Sequence, residues 1–457
     1  MASLQQRSSG REVRLFPSSH ISSDREAELR ATASLLAVLR AVSEFGRAIV
    51  RRAGGPAGTL SCYTEVPFEL QRRGRPPETV RPDGIIVVER GRTKWTALVE
   101  AKVGSNNLDQ EQVDRYHQLA GQEGIDAVLT VSNQAALPNG QPPLHLDGRR
   151  LRAVPVRHFS WERLLSEAQV LSRKKAISDP DQKWMLDEWI RYADDPNSRI
   201  IVPPELGPHW NEVLKEARTG SLKKDSPELR DVASRWAAYL SKAALQLRAE
   251  LGADVRPRLS RAERSEPYLH VDRLVEEACV SGSLSGALVV PDAAGDVRIE
   301  VFLHSKSVRY AVVVEAPTEG RQATRLRWLG RQLRRLPDLP GDLLVTVVWS
   351  KRGLTSTCAA GNFVQDVAAA SVDPQGVLID KSLMPRRFVV HTTGGLQAAR
   401  GRSTARVAAG ITEGLRHFYR GVVEGLVPYV PPAPRLPREA ETESPQGDAD
   451  GERSVEE

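Results

Sequence analysis

Residues 82–102, PDGIIVVERGRTKWTALVEAK, decide which fold this chain is expected to adopt. Two apolar runs, 84–88 and 95–102, flank the turn residues 90–92 and therefore predict a β-hairpin. Successive side chains of a strand point to opposite faces, so Leu98, Glu100 and Lys102 are predicted to share one face. Burying a carboxylate and an ammonium is costly unless they are paired or bind a metal. This end of the hairpin is the first candidate for a functional site.

A second carboxylate belongs to the same end of the hairpin. Asp83 opens the first strand, 17 residues before Glu100, a separation that brings both acids to one end of a sheet. Two carboxylates with open water positions suit Mg²⁺, a hard cation that keeps several waters and takes further ligands from phosphate. A lysine beside them, Lys102, is placed to orient or deprotonate an attacking water.

Pro82-Asp83 followed by Glu100-Ala101-Lys102 resembles the signature of the PD-(D/E)XK nuclease superfamily, the restriction-endonuclease-like group. The resemblance implies an α/β fold whose mixed sheet is flanked by helices. It further implies that Asp83 and Glu100 bind Mg²⁺ (or Mn²⁺), that the Ala101 carbonyl adds a ligand, and that Lys102 handles the nucleophilic water. The implied substrate is DNA, and RNA is left open.

Gln112 and Tyr116 form a Q-x-x-x-Y element similar to that of the RecB-like branch. They lie on a helix predicted over 107–120, and their spacing of four places both on one face. There they are expected to contact the DNA backbone or a water in the active site. The alternative is a surface helix with an incidental Gln and Tyr.

The first predicted helix, 25–53, offers a third acid, and members of the family use a Glu on this helix as an extra metal ligand. At about 100° per residue, Glu28 lies about 20° from Leu35 on the apolar stripe, whereas Glu26 and Glu44 lie on the opposite face. Glu28 is therefore the predicted ligand. The alternatives are a charge favoured by the helix dipole and a weaker candidate, Glu65, on a strand predicted over 60–70.

Composition excludes several other classes of protein. Cys62, Cys279 and Cys358 are far apart and odd in number, which argues against a disulfide scaffold and a zinc site. No apolar run approaches the roughly 18 residues that cross a bilayer, and residues 1–16 carry no secretory signal. A cytoplasmic protein without a membrane partner is expected. P-loop, H-E-x-x-H and G-x-S-x-G motifs are absent from the sequence.

The charge is unevenly distributed along the chain. The net charge is +6, and residues 439–457 hold eight acids and one arginine, a net of −7, so the remainder carries +6 − (−7) = +13. A basic body suits a polyanionic partner, although arginine-rich composition alone is an alternative.

A basic helix is predicted over 322–336. It carries an apolar stripe, and Arg327, Arg331 and Arg334 line another face. Arginine suits phosphate by its fork geometry, so these three residues are candidate nucleic-acid contacts. The alternatives are a helix that faces another subunit and a solvated basic face.

The predicted organisation has five parts: a flexible arm (1–20), the nuclease-like domain (21–175), a helical region (176–269), a C-terminal α+β domain (270–430) and a disordered acidic, Pro-rich tail (431–457). Residues 295–349 resemble 82–133 in pattern, with Pro317 in place of the lysine. They are either a degenerate second copy or ordinary α/β convergence. The block 277–430 also resembles uncharacterised bacterial proteins, some labelled stress-response proteins.

Three hypotheses follow for function. The first is an Mg²⁺-dependent nuclease that hydrolyses DNA phosphodiesters in defence, repair or stress response, while the other regions bind DNA, contact a partner or form a homodimer. The second is a non-catalytic protein that keeps the nuclease fold to bind nucleic acid or another protein. The third is a stress-linked scaffold that acts through its C-terminal domain.

Overall fold

Two main sheets organise the chain, one in each half. The computed structural model describes residues 14–72, 74–134, 136–137, 140–144, 146, 148–396 and 403–431. Its strands are β1 (Thr59–Thr64), β2 (Phe68–Arg72), β3 (Arg75–Val80), β4 (Gly84–Arg90), β5 (Thr93–Ala101), β6 (Ala127–Ser132), β7 (Val156–Ser160), β8 (Arg256–Pro257), β9 (Ser283–Val289), β10 (Val297–Phe302), β11 (Ser307–Glu315), β12 (Leu344–Trp349), β13 (Thr355–Ala359) and β14 (Pro385–Gly395).

Helices cover these sheets and connect them. They are α1 (Asp24–Ala41), α2 (Ser43–Ala53), α3 (Gln110–Glu123), α4 (Gly148–Ala153), α5 (Trp161–Arg173), α6 (Pro180–Asp194), α7 (Trp210–Thr219), α8 (Pro227–Leu251), α9 (Arg261–Ser265), α10 (Tyr268–Ser281), α11 (Gln322–Leu333), α12 (Ala360–Gln365) and α13 (Ala405–Gly421). Short 3₁₀ turns lie at Pro196–Ser198, Val367–Ala370 and Val423–Gly425. Within the described residues, none of these helices is both long and apolar enough to cross a membrane.

The first sheet has the order β1-β4-β5-β6-β7. β4 pairs with β1 and with β5 in antiparallel fashion, whereas β5–β6 and β6–β7 are parallel. The β4–β5 hairpin runs in register from Gly84 opposite Val99 to Arg90 opposite Thr93. The predicted α/β fold with a mixed sheet flanked by helices is confirmed.

Strand alternation sends the two faces of β5 into different cores. Trp95, Ala97 and Val99 pack in a core formed with α1, α2, α5 and α6. Leu98 packs in a second core with α3 and the β2–β3 hairpin. Glu100 therefore lies on the face that α3 covers, as the period-two pattern predicts.

Packing moves the predicted domain boundaries. Leu186, Trp189 and Tyr192 of α6 are buried in the same core as α1 and α5, so the first body extends past residue 175. The core of the second body begins at Leu206 and includes α7, α8 and the C-terminal sheet. Residues 176–269 therefore do not form a separate helical unit, because α6 buries its apolar face in the first core and α7 and α8 bury theirs in the second.

The N-terminal arm is anchored where the structure describes it. Arg14 Nε donates to Glu188 Oε2 at 3.0 Å, and Ser18 Oγ donates to Asp195 Oδ2 at 2.5 Å. Phe16 packs against the first core. The flexible arm predicted for 1–20 therefore does not extend over residues 14–20, while residues 1–13 and the tail from 432 lie outside the described residues.

Three local predictions are corrected. The helix predicted over 25–53 is interrupted at Val42, which is extended with φ −103° and ψ 97°. The strand predicted over 60–70 breaks after Thr64, and Glu65 lies exposed at the break with φ +52°. Residues 151–156 also have the pattern of a strand in the sequence, but they form the end of α4 and the start of β7.

The second body is built on an antiparallel sheet in the order β13-β12-β14-β11-β10-β9-β8, as expected for an α+β domain. β14 inserts between β11 and β12. In the first sheet the corresponding strands, β5 and β6, are direct neighbours. The hypothesis that 295–349 is a second copy of 82–133 is therefore wrong, because a later strand separates the two.

The two bodies meet along α5 and α8. Lys242 Nζ lies 2.6 Å from Glu162 Oε1, and Arg248 donates to Glu167 at 2.8 Å. These four side chains are nearly inaccessible to solvent. The contact brings α8 close to the edge of the first sheet where β5 and β6 end.

Candidate active site

The backbone at the end of β5 is held by Asp83. Asp83 Oδ2 accepts a hydrogen bond from the Ala101 N–H at 2.8 Å. The next N–H, that of Lys102, points the other way and donates to the Val131 carbonyl of β6 at 2.8 Å. The N–H and C=O of one strand residue leave on the same side, so the Ala101 carbonyl lies on the Asp83 side. The predicted ligand pair of Asp83 and Ala101 is thus brought together.

Glu100 is the most unusual group at this site. Its side chain is only 1% exposed, and the groups near it that favour its ionised form are the Lys102 ammonium and the Tyr116 hydroxyl. The ammonium of Lys102 lies 2.7 Å from Oε1 and pairs with the ionised form of Glu100, whereas Oε2 makes no aligned hydrogen bond to a described residue. Burial, and then the neighbouring Asp83, raise the pKa of Glu100 to about 8, although Lys102 and the Tyr116 hydroxyl oppose the shift.

Asp83 is affected by the same environment. Burial raises the pKa of Asp83, against the Ala101 hydrogen bond and the charge of Lys102. A buried carboxylate without enough compensating positive charge takes up a proton. Two neighbouring carboxylates that both resist ionisation are a recurrent feature of functional sites.

Lys102 links the three acids. Its ammonium lies 2.7 Å from Glu100 and 3.6 Å from Glu28 Oε2. Desolvation would lower the pKa of Lys102, but the Glu100 carboxylate, with Glu28 and Asp83, outweighs it and raises that pKa above its ordinary value. Lys102 is therefore a charged ammonium at neutral pH.

Glu28 comes to the site from α1, on the half-buried side that helical phase predicts. Its Oε1 accepts a hydrogen bond from Asn106 Nδ2 at 2.9 Å, while Oε2 faces Lys102. Glu26, by contrast, binds Ser22 and Arg30 at the start of the helix, and Glu44 pairs with Arg47. Of the acids on the first predicted helix, Glu28 is the one that contacts the site.

Gln112 and Tyr116 also reach the site. Gln112 Nε2 donates to the Tyr116 hydroxyl at 3.2 Å, and that hydroxyl donates to the Arg81 carbonyl at 3.2 Å. Tyr116 is only 3% exposed, so its ring packs in the core under α3. Gln112 and Tyr116 thus hold the backbone just before Pro82 and Asp83. Of this pair, the Tyr116 hydroxyl and the Gln112 amide are the polar groups for the predicted contact with substrate.

The donor set suits a hard cation. Asp83, Glu100 and the Ala101 carbonyl offer oxygen ligands, and Mg²⁺ commonly uses one or two carboxylates together with water and phosphate oxygens. Oε2 of Glu100, which makes no aligned hydrogen bond to a described residue, is a buried acceptor that such a cation would satisfy. Among the described residues, however, no group of three or more His, Cys, Asp or Glu side chains is arranged to hold a metal ion. Glu28 is occupied by Asn106 and Lys102 rather than placed as a third ligand.

Two residues of the site have no motif that would reveal them. Asn106 holds Glu28, and Trp161 Nε1 donates to the Lys102 carbonyl at 2.7 Å. Trp161 begins α5, 59 residues after Lys102. In the sequence, a tryptophan at the start of a helix is expected to be a core residue, and Trp161 is indeed fully buried. Its hydrogen bond to Lys102 can be recognised only in the folded structure.

The predicted arginine contacts lie elsewhere. Arg327, Arg331 and Arg334 are exposed around α11 in the second body. Arg334 donates to the Val364 carbonyl at 2.7 Å, so it has a local structural partner. The apolar stripe predicted beside them is buried, namely Leu326, Leu329, Leu333 and Leu336.

The raised pKa of Glu100 predicts how the metal-free protein responds to pH. Burial raises the pKa of Glu100 to about 8 in the folded state, whereas in the unfolded chain this carboxyl has its ordinary pKa of 4.5. The folded state thus binds more protons in this window, and stability falls as the pH rises through it. In EDTA, we expect the melting temperature of the native protein to fall from pH 6 to pH 8 relative to that of Glu100→Gln. Parallel pH profiles for the two proteins would contradict this.

Asp83, Glu100 and Lys102 lie together at the end of β5. Each of them is held by a contact within 3 Å, and Glu28 and Tyr116 complete the surroundings. Comparison with protein-family models, with curated proteins and with solved structures found no match for this chain.

Proposed function

We propose that this protein is an Mg²⁺- or Mn²⁺-dependent nuclease that hydrolyses DNA phosphodiester bonds at the Asp83–Glu100–Lys102 site. The observation that carries the proposal is the buried Glu100 carboxylate, which has one ammonium beside it, one oxygen without an aligned hydrogen bond to a described residue and a second acid as its neighbour. A structural ion pair needs one acid for one base. Asp83 is a second buried carboxylate beside the Glu100–Lys102 pair, and a divalent cation bound there would compensate its negative charge.

Asp83, Glu100 and the Ala101 carbonyl would hold the cation. When bound, it would polarise the phosphate and lower the pKa of water. Hydrolysis adds the water oxygen to phosphorus and breaks the bond to one ester oxygen, which leaves as a hydroxyl. Tyr116 and Gln112 brace the Arg81 carbonyl and so keep Asp83 in position.

Lys102 would act through its charge. Its raised pKa supports an ammonium that stabilises the negative charge developing on phosphate, rather than a base that removes a proton from water. The backbone of Lys102 is fixed by two hydrogen bonds: its carbonyl accepts from the Trp161 indole, and its N–H donates to the Val131 carbonyl. A cytoplasmic setting in defence, repair or stress response is part of the same proposal.

One observation favours a second candidate function. Because no three-member ligand group is present among the residues that the structure describes, and Glu100 already pairs with Lys102, the site also suits a protein that binds nucleic acid without cleaving it. The basic charge of the chain supports either function.

A cleavage assay separates these functions. Purified protein is incubated with linear and with circular DNA in Mg²⁺, in Mn²⁺ and in EDTA, beside Asp83→Asn and Glu89→Gln. Glu89 is an exposed acid at the turn end of the same hairpin, so it is a matched control. We expect metal-dependent cleavage by the native protein and by Glu89→Gln, and loss of about 10²-fold or more in Asp83→Asn.

The other outcomes are equally informative. DNA binding without cleavage in either metal contradicts the nuclease proposal and supports the binding protein. Equal cleavage by Asp83→Asn and the native protein would place the activity outside this site. Absence of any interaction with DNA or RNA would leave the scaffold hypothesis.

A further inference from the structure

We propose that a single nucleic-acid strand lies in a groove between the first body and α8, and that Arg235 and Tyr268 of the second body bind it. This inference rests on the proposed function and deepens it, because it names the form of the substrate. The groove consists of two adjoining cavities, of about 440 Å³ and about 470 Å³, whose linings share Gln134, Arg235 and Ala238.

The groove begins beside the candidate active site and is linked to it through Asn106. Its first cavity is lined by residues that follow β5 and β6, including Asn106 and Asn133. These two strands are parallel, so their ends lie at the same edge of the sheet as Glu100 and Lys102. Asn106 also contacts Glu28, which faces Lys102, so one side chain belongs both to the groove and to the surroundings of the site.

The first cavity suits a sugar–phosphate backbone. Asn106, Asn133 and Gln134 present amides that can donate and accept hydrogen bonds, and Arg235 lies on the opposite wall. Asn133 Oδ1 is buried and has no hydrogen-bond partner among the described residues. Each of the three amides makes one hydrogen bond within the fold, to Glu28, to the Gly104 carbonyl and from the Leu108 N–H, which fixes its orientation at the cavity wall.

Arg235 is held in place for a contact with phosphate. Its Nε donates to both oxygens of Asp231 at 3.0 Å, and no ion pair to its terminal nitrogens is found among the described residues. Its stem lies against Gly207, where φ is +91° and a Cβ would be only 2.5 Å from Arg235 Cδ. The guanidinium is thus fixed on one side and open on the other, and it remains 43% exposed.

The second cavity suits an unpaired base. Leu259, Val271 and Pro267 give it an apolar wall, and Tyr268 stands at its side with 56% of its surface exposed. An exposed aromatic beside an apolar wall is a stacking platform for a base of any identity. A base inside a duplex is already stacked on its neighbours and cannot use this platform, so the groove selects a single strand.

The test measures binding and not cleavage. The full-length native protein is titrated in EDTA with a fluorescent 15-nucleotide DNA strand, with RNA of the same sequence, and with the blunt DNA duplex. Tyr268→Ala and Arg235→Ala are compared with two controls that do not line the groove. These are Trp184→Ala, an exposed aromatic on α6, and Arg230→Ala, which lies on α8 and is ion-paired like Arg235.

We expect the single strand to bind more tightly than the duplex. Tyr268→Ala should weaken single-strand binding by roughly tenfold, because one stacked base is lost. Arg235→Ala should reduce the slope of log K against log salt by about 0.7, the value for one phosphate contact on a single strand. Both controls should bind as the native protein does, and the RNA titration shows whether the groove discriminates between the two sugars.

The possible failures can be told apart. Native-like affinity and salt slope in both groove variants would overturn the groove, and the nuclease function would stand if the native protein cleaves DNA in Mg²⁺. Single-strand binding that depends on Arg235 and Tyr268, without cleavage, would support the groove and contradict the nuclease. Equal affinity for duplex and single strand would overturn the selection of a single strand.

Discussion

Replacing Lys102 with methionine is expected to lower the rate of DNA cleavage by about 10²- to 10⁴-fold, the range for loss of a positioned charge or proton donor. The ammonium of Lys102 lies 2.7 Å from Glu100 and 3.6 Å from Glu28. Among the described residues, it is the positively charged side chain that pairs with both acids. Methionine keeps the length of the stem but removes the charge. DNA affinity should change little, because the proposed phosphate contact of Arg235 is unchanged in this variant.

The measurements for Lys102 are the cleavage rate under saturating DNA and the dissociation constant in EDTA. Lys94→Met is the matched control, since Lys94 is exposed near the other end of the same strand. Lys102→Arg keeps the positive charge and should retain more activity than Lys102→Met if the role is electrostatic. Equal loss in both variants would contradict that role, and an unchanged rate in Lys102→Met would remove Lys102 from the site.

Replacing Glu167 with glutamine is expected to destabilise the protein by about 1–3 kcal/mol, the usual cost of leaving a buried hydrogen-bonding group without one of its partners. Arg52 and Arg248 both contact a single oxygen of Glu167, at 3.0 Å and 2.8 Å. The side chains of Glu167 and Arg248 are 9% and 7% exposed, so solvent screens their contact poorly. Arg248 keeps Asp254 as a second partner and Arg52 is 35% exposed, which limits the loss. Since Arg52 belongs to the first body and Arg248 to α8, the loss should weaken the contact between the bodies.

Urea unfolding monitored by tryptophan fluorescence measures this effect. Arg163→Gln is the opposing control, because Arg163 lies on the same face of α5 one turn earlier. Burial, followed by the nearby Arg52 and Arg248, lowers the pKa of Arg163 to about 10. Removal of this third guanidinium should leave stability unchanged or raise it. A Glu167→Gln protein as stable as the native one would show that the arginines do not depend on Glu167.

The relation between the two carboxylates and their lysine was readable from local patterns. Alternation along residues 95–102 placed Glu100 on the face of Leu98, and the hairpin placed Asp83 at the same end. Helical phase distinguished Glu28 from Glu26 and Glu44, even though α1 ends before Glu44. These predictions succeeded because strand and helix periodicities follow from backbone geometry and do not depend on distant residues.

Local patterns failed where the outcome depended on packing between distant segments. The boundary predicted at residue 175 was misplaced because α6 carries its own apolar face, and only tertiary packing shows that this face joins the first core. The repeat hypothesis failed because β14, beginning 36 residues after the end of β12, inserts between two strands that resemble neighbours.

Local sequence patterns are enough to predict the mixed α/β hairpin unit, the placement of its acids and lysine at one end, and the choice of Glu28 on the first helix. The contacts of Asn106 and Trp161 with that site, and the position of α8 as the far wall of a groove beside it, depend on how distant segments pack. The reason is physical: the direction of a side chain along one strand or helix is local, whereas the groups it meets depend on which apolar faces are buried together.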